Sequence, residues 1–285
     1  MTAKHLLVGI LLLTAMIAGT LADVTRETPS LVLGGYQVLA GDFHVHSFPL
    51  SWATLAPWDT VIAARHEGLD VIAMTPQNHV WVAKVGRWFS EQTGAPTVLV
   101  GEEIHSMHYH LLGIGIDTTV GWNQSAAGAI DEVHRQGGVA IAAHPIAEYW
   151  PAYDREVRQK LDGAEVAHQV GLVREDAASE LRQFYGSARL TAVGDSDYHG
   201  LGPIGLCRTY VFVRERTEKG ILDALREGHT VVYDRGNVYG DPALLGLAAQ
   251  DGRLPRLALS VPSTGFLSIL SRIAGLLGLI ALLIL

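Results

Sequence analysis

The chain has 285 residues, a formal charge of −8 and charged side chains at only 18% of positions. That length accommodates one large or two small domains, and the acidic balance leaves no basic surface for nucleic acid. A single cysteine, Cys207, excludes an intramolecular disulfide framework and a multi-cysteine zinc ribbon, whereas thirteen histidines leave imidazole and carboxylate ligation open.

In chain order, residues 1–22 couple Lys4 to an apolar stretch that ends in small residues, with a candidate cleavage point after Ala22. Two readings stay open, a secretory signal and an uncleaved amino-terminal anchor, and both imply an exported, extracytoplasmic protein. From 23 to 240, β-rich runs alternate with helical ones, the pattern of a parallel α/β domain. "YQVLAGDF", "GLDVIAMT" (68–75), "APTVLVG" (95–101), "HLLGIGI" (110–116), "GVAIAAH" (138–144), "GAEVA" (163–167) and "LTAVGDS" (190–196) read as strands. "WDTVIAARHEG", "AAGAIDEVHRQGG" and "REDAASELRQFYG" read as helices between them. Residues 241–264 read as a linker, weakly structured or β-containing. The tail, 265–285, is long enough to cross a bilayer and reads as a membrane segment, spanning or interfacial, although Arg272 interrupts it; a packed terminal helix is the alternative. Arg272 can snorkel to the interface.

Polar residues gather where the predicted strands end. His44 and His46 lie one residue apart, so strand alternation aims both imidazoles to the same side and Val45 to the other. His79 follows "VIAMT", Glu102 and Glu103 follow "TVLVG", His144 follows "VAIAA", and Asp197 and His199 follow "TAVG". His110 is the exception, opening its strand. Function in α/β barrels and open sheets is built at the carboxyl edge of the strands. Each mark alone is weak, since roughly one H-x-H is expected by chance in a chain this rich in histidine; their order along successive strands carries the weight. Glu102 faces away from Glu103 and is expected to be structural. His105 and His108 fall in a turn and are expected at the surface, with a place at the pocket rim as the alternative for one of them, and His66, His134 and His229 in solvated positions near helices. His168, at a strand end, is a candidate substrate contact, and Arg208 offers a planar fork to an anionic group. Cys207 reads as a small buried side chain, and no serine elbow is present.

With "GDFHVHS", "DVIAMTPQNH", "GGVAIAAHP" and "AVGDSDYHG", and with "VGEEIHSMHYHLLGIGI" as a glutamate segment, residues 38–233 resemble the PHP (polymerase and histidinol phosphatase) metallohydrolases. Within that family the chain looks most similar to an exported branch of carbaryl hydrolase-like proteins. The resemblance implies a distorted, TIM-like (β/α)7 barrel holding two or three divalent metals. His44, His46, Glu103 and Asp197 would take the first, Glu103 would bridge to a second held by His110 and His144, and His79 with His199 would form a third site. Such donors suit zinc, manganese or iron. Two positions depart from the family pattern. Trp52 stands where Asp or His is usual, and Asn78 stands where the T-D-H aspartate belongs, so two firm sites and a weak or absent third are expected. Asn78 joins His168 and Arg208 as a candidate substrate contact.

Two cations sharing a carboxylate lower the pKa of a shared water and stabilise charge on a departing oxygen, and Asp197 or His199 can relay the proton. The implied reaction is hydrolysis of a small-molecule phosphoester. Hydrolysis of carboxylic or carbamate esters, and a non-catalytic metal- or ligand-binding module, stay open as alternatives.

Overall fold

The computed structural model describes residues 3–24, 31–49, 51–94, 96–200, 202–258 and 265–284. The chain divides into a large unit, Pro29–Ser260, and a terminal unit, Met1–Thr28 with Val261–Leu285. Its elements begin with α1 (Ala3–Val24), β1 (Leu31–Leu33), β2 (Tyr36–Val45), α2 (Pro57–His66), β3 (Val71–Met74), α3 (Trp81–Thr93) and β4 (Thr97–His105). There follow β5 (His110–Ile114), α4 (Ala126–Arg135), β6 (Val139–Ala142), a 3-10 turn (Ala147–Ala152), α5 (Arg155–Lys160), β7 (Gly163–His168), α6 (Gln169–Val173) and α7 (Glu175–Tyr185). The remainder is β8 (Thr191–Asp195), β9 (Thr209–Val213), α8 (Glu218–Glu227), β10 (Thr230–Asp234), β11 (Asn237–Gly240), α9 (Pro242–Asp251), α10 (Arg253–Ala258) and α11 (Phe266–Ile284).

The large unit is built on one sheet in the order β11-β10-β9-β2-β3-β4-β5-β6-β7-β8, with β1 paired to β2. Strands β3 and β6 are buried on both faces, which is why they read as unbroken apolar runs. The expected α/β barrel is present, but it is mixed and not wholly parallel. β2, β3 and β4 run parallel, as do β6, β7 and β8. β5 opposes both of its neighbours, and β9 opposes β2.

Side chains nearly close the barrel. Thr209 Oγ1 donates to Gly194 O (3.0 Å) and accepts from Gly194 N (2.8 Å), and Thr230 Oγ1 donates to Ala192 O (2.7 Å). Beside that seam, Asp195 Oδ1 accepts from Phe43 N (2.6 Å) while Asp42 Oδ1 accepts from Ser196 N (3.1 Å). Each of β2 and β8 thus lends a buried carboxylate to the other's backbone, satisfying donors that a closed ladder would have paired.

Helices follow the predicted signals where caps are present. Ser125 accepts from Gly128 N at the start of α4, which buries Ala126, Ala129, Ile130 and Val133 and ends before left-handed Gly137. The segment expected to be a loose or β-containing linker is instead helical as far as Ala258; its residues 259–264 lie outside the described residues. Asp241 caps α9 by accepting from Ala243 N (2.8 Å) and Leu244 N (3.1 Å), Pro242 occupies the first turn, and Gly252 ends it left-handed. Leu244 and Ala248, four apart, share a face and bury into the core with Leu254.

In the terminal unit, α1 and α11 lie against each other, and Ser271 Oγ donates to Ala15 O (2.7 Å). Each contains a 19-residue stretch long and apolar enough to cross a membrane.

Candidate metal centre

The end of β2 presents His44 and His46 on one side, with their Nε2 atoms 3.0 Å apart, while Val45 enters the core. Both imidazoles are fully buried. Just past β8, Asp197 adopts a left-handed backbone (φ 48°). Its Oδ1 lies 3.3 Å from His44 Nε2 and 3.0 Å from His46 Nε2. Glu103, on β4, divides its carboxylate. Oε2 lies 3.8 and 3.5 Å from the Nε2 atoms of His44 and His46, whereas Oε1 lies 2.8 Å from His110 Nδ1 and 3.4 Å from His144 Nε2. His110 Nδ1 and His144 Nε2 are themselves 3.3 Å apart. Two trios with ligand-atom spacings suited to a cation result, His44/His46/Asp197 and Glu103/His110/His144.

Why an opening residue belongs with closing ones follows from β5. Because it runs against β4 and β6, its first residue lies at the edge where the parallel strands end. His110 therefore arrives beside His144, which follows β6.

Below these ligands, Glu165 on β7 acts on two of them. Its Oε1 accepts from His44 Nδ1 (2.8 Å) and its Oε2 from the backbone N–H of His144. The first bond places the His44 proton on Nδ1 and turns the Nε2 lone pair toward Glu103 and Asp197, the arrangement common behind metal-ligating histidines. His168 is wired the opposite way. Its Nδ1 accepts from Val170 N (3.1 Å), so Nε2 carries the proton, 3.5 Å from Asp197 Oδ2 and 3.6 Å from Glu165 Oε2. A third trio, His44/His144/His168, has suitable spacing, but that proton makes His168 a donor there and not a ligand.

The electrostatics match. Burial would raise the Glu103 carboxyl, yet hydrogen bonds from His105, His110, His144 and His44 outweigh it and hold the group well below the usual carboxylate range. Burial likewise opposes ionisation of Asp197, and His44, His168 and His46 more than reverse it. Burial lowers the His46 and His110 imidazoles, favouring their neutral, lone-pair-bearing forms. Burial also works against charge on His44, but Asp197 and Glu165 raise it well above its ordinary value. Burial opposes charge on His144 too, and Glu103, Glu165 and Asp197 raise it. A divalent cation requires ionised carboxylates with neutral imidazoles, so its binding would displace the second proton that these carboxylates otherwise favour on His44 and His144.

Other expected site residues are placed differently. His199 donates from Nδ1 to Asp197 O (2.9 Å), and its ring centre lies 4.1 Å from that of His46, yet it joins no ligand trio among the described residues. Nor does His79, whose ring stacks on Trp81 at 5.7 Å and whose two nitrogens have no hydrogen-bond partner among the described residues. The expected third pair, His79 with His199, is thus not assembled as a ligand set. Trp52 is 93% exposed.

Both amide atoms of Asn78, a candidate substrate contact, bond to the backbone. Its Nδ2 donates to His105 O (3.1 Å) and its Oδ1 accepts from His105 N (2.9 Å), with φ at 58°. A residue that must both donate and accept, in a left-handed backbone, explains asparagine in place of aspartate. Arg208 is also committed elsewhere, donating to Gly205 O (2.9 Å) and Glu67 O (3.4 Å). His168 is buried between two carboxylates and does not stand at the mouth of the site.

Two contributors escaped the sequence reading, and a third was only half read. His105, read as a surface residue with the pocket rim as the alternative, is both: its side chain is 42% exposed while its Nδ1 lies 3.6 Å from Glu103 Oε2 and its ring 3.7 Å from that of His110. It stands two residues after Glu103 on β4, so the alternation that paired His44 with His46 was available to find it. Glu165 left a signal as well, a carboxylate inside the apolar strand "GAEVA". Tyr149, whose ring stacks 4.7 Å from that of His110, left none.

A family model described as PHP-associated matches residues 179–230. Over 129 residues the chain is 27% identical to an uncharacterized protein of Methanocaldococcus jannaschii, covering 44% of this chain and 75% of that one. Its fold is similar to a two-domain protein of Bacteroides vulgatus containing a predicted PHP-like metal-dependent phosphoesterase. That match has a TM-score of 0.60 and 24% identity, over 79% of this chain and 72% of the other. PsfC of Pseudomonas syringae overlays with a TM-score of 0.47 and 15% identity, over 78% of this chain and 99% of PsfC. The fold is that of PHP-like structures; the comparisons give no support to a carbaryl hydrolase-like branch.

Proposed function

We propose that this chain is a PHP-type metal-dependent hydrolase acting on phosphoesters. The observation that carries this conclusion is the division of Glu103, one oxygen toward His44 and His46 and the other toward His110 and His144. A carboxylate so placed suits a bridge between two cations, which favours two sites, the first on His44, His46 and Asp197 and the second on His110 and His144. Zinc, manganese or iron fits the donors. When bound, such a pair supplies Lewis acidity and a water of lowered pKa.

The chain's own residues have separable tasks. Glu165 orients the His44 imidazole and fixes the backbone of His144. His168 holds a proton at Nε2 beside Asp197. His199 is tethered through Nδ1 to the Asp197 carbonyl, leaving Nε2 to exchange a proton with a leaving group, with Asp197 as its partner in that relay. The two terminal apolar helices support the reading of an exported protein held at a membrane.

The test is turnover by the full chain in detergent, loaded with manganese or zinc, against phosphomonoesters, phosphodiesters, carboxylic esters and carbamates. Phosphoester hydrolysis is expected, with His144→Ala and Glu103→Gln each reducing it by at least about a hundredfold and lowering bound metal. Turnover confined to carboxylic or carbamate esters would move the assignment to that class. Two bound metals without turnover across the panel would leave a binding module.

A further inference from the structure

We propose that the two apolar termini form one anchor, an antiparallel helical hairpin inserted in a lipid bilayer, with α1 retained and not removed as a leader. This rests on the membrane placement above and adds a partner for each helix.

At the interface, small residues meet small residues at two levels and a glycine receives a leucine at a third. A Cβ built on Gly19 would stand 2.8 Å from Ser271 Oγ, one on Gly275 3.5 Å from Ala15 Cβ, and one on Gly278 2.8 Å from Leu12 Cδ2. Contacts climb one helix as they descend the other, so the helices are antiparallel. Ala15 with Gly19, and Ala274 with Gly278, are small residues four apart, the spacing that lets helix backbones approach closely in lipid. Between them the Ser271 hydroxyl donates to Ala15 O.

The opposite surfaces point to what surrounds the pair. Leu7, Ile10 and Leu13 on α1 and Ile273, Leu276 and Leu282 on α11 are each about half or more exposed. Only 11% of each apolar span is buried, so the neighbouring helix covers little of it. Nineteen residues reach about 28 Å, close to the roughly 30 Å hydrocarbon core, with Arg272, the seventh residue of α11, reaching back along its stem to the interface. Lipid is the partner that matches this length and chemistry. Removal of α1 would bare the notch at Gly275 and Gly278 and break the Ser271–Ala15 hydrogen bond between the helices.

The full chain is expressed with its native amino terminus, and membranes are washed at high pH. The extracted wild-type protein is expected to have the intact mass of a chain that retains α1. In a Cys207→Ser background, A15C/G275C is oxidised beside L13C/L276C, a pair on exposed faces. A Cβ separation near 3.5 Å lies within disulfide range, so the first pair is expected to form an intramolecular bridge at least about tenfold faster than the second. A mature chain starting after Ala22, or equal rates for the two pairs, would overturn the hairpin even if the protein stays in the membrane. Recovery in the soluble fraction would instead remove the membrane placement itself. Intact mass on the unaltered chain stands whether or not the cysteine variants fold.

Discussion

Glu102 and Glu103 are neighbours with opposite fates. Strand alternation sends Glu103 to a cluster of imidazoles that keeps it ionised, and sends Glu102 to the other side, where its Oε1 accepts from Val120 N and its Oε2 has no partner among the described residues. Burial pushes the Glu102 carboxyl from an ordinary 4.5 up to about 8. Between those values the unfolded chain releases this proton and the folded one keeps it, so folding stability falls as pH rises through the window. Glu102→Gln mimics the protonated side chain. The variant is expected to match wild type near pH 5 and to exceed it by on the order of a few kcal/mol at pH 8, read from urea midpoints at both pH values.

At the scale of elements, the reversed β5 and the clasp after β3 shape the site. A parallel strand in place of β5 would carry His110 to the far edge of the sheet, away from Glu103. The β3 connection is pinned by Asn78, which closes a two-way bond with the His105 backbone at the end of β4. Asn78→Ala removes both bonds and puts alanine at φ 58°. It is expected to cost about 2–3 kcal/mol in chemical denaturation. Asn78→Asp, which accepts but cannot donate when ionised, should retain only part of that loss.

Over the whole molecule, seam and site are one problem. The Asp42/Asp195 exchange and the Thr209 and Thr230 hydroxyls hold β2 and β8 in a register that brings His44 and His46 to Asp197, more than 150 positions later. Thr209→Val keeps the shape but leaves both polar groups of buried Gly194 without this partner. It is expected to destabilise by about 2 kcal/mol and to weaken metal affinity, measured by denaturation with and without added manganese or zinc.

What the chain determined by itself was local: apolar runs with paired imidazoles at their ends, the Glu102/Glu103 parity, and the two lipid-length termini. These depend on side-chain alternation and hydropathy, which act over a few residues. The same rule covered His105, where the assumption of a turn overrode it. The helices beyond Asp241 were also locally encoded, by a cap and a four-residue apolar spacing, though the segment read as a linker. Only the tertiary structure decided that β5 runs backward, that Asn78 is consumed by a backbone, that Arg208 faces carbonyls, and that Glu165 lies behind His44. Each of those depends on which distant strand becomes a neighbour, and a register set by closing a barrel is written in no single stretch of the chain.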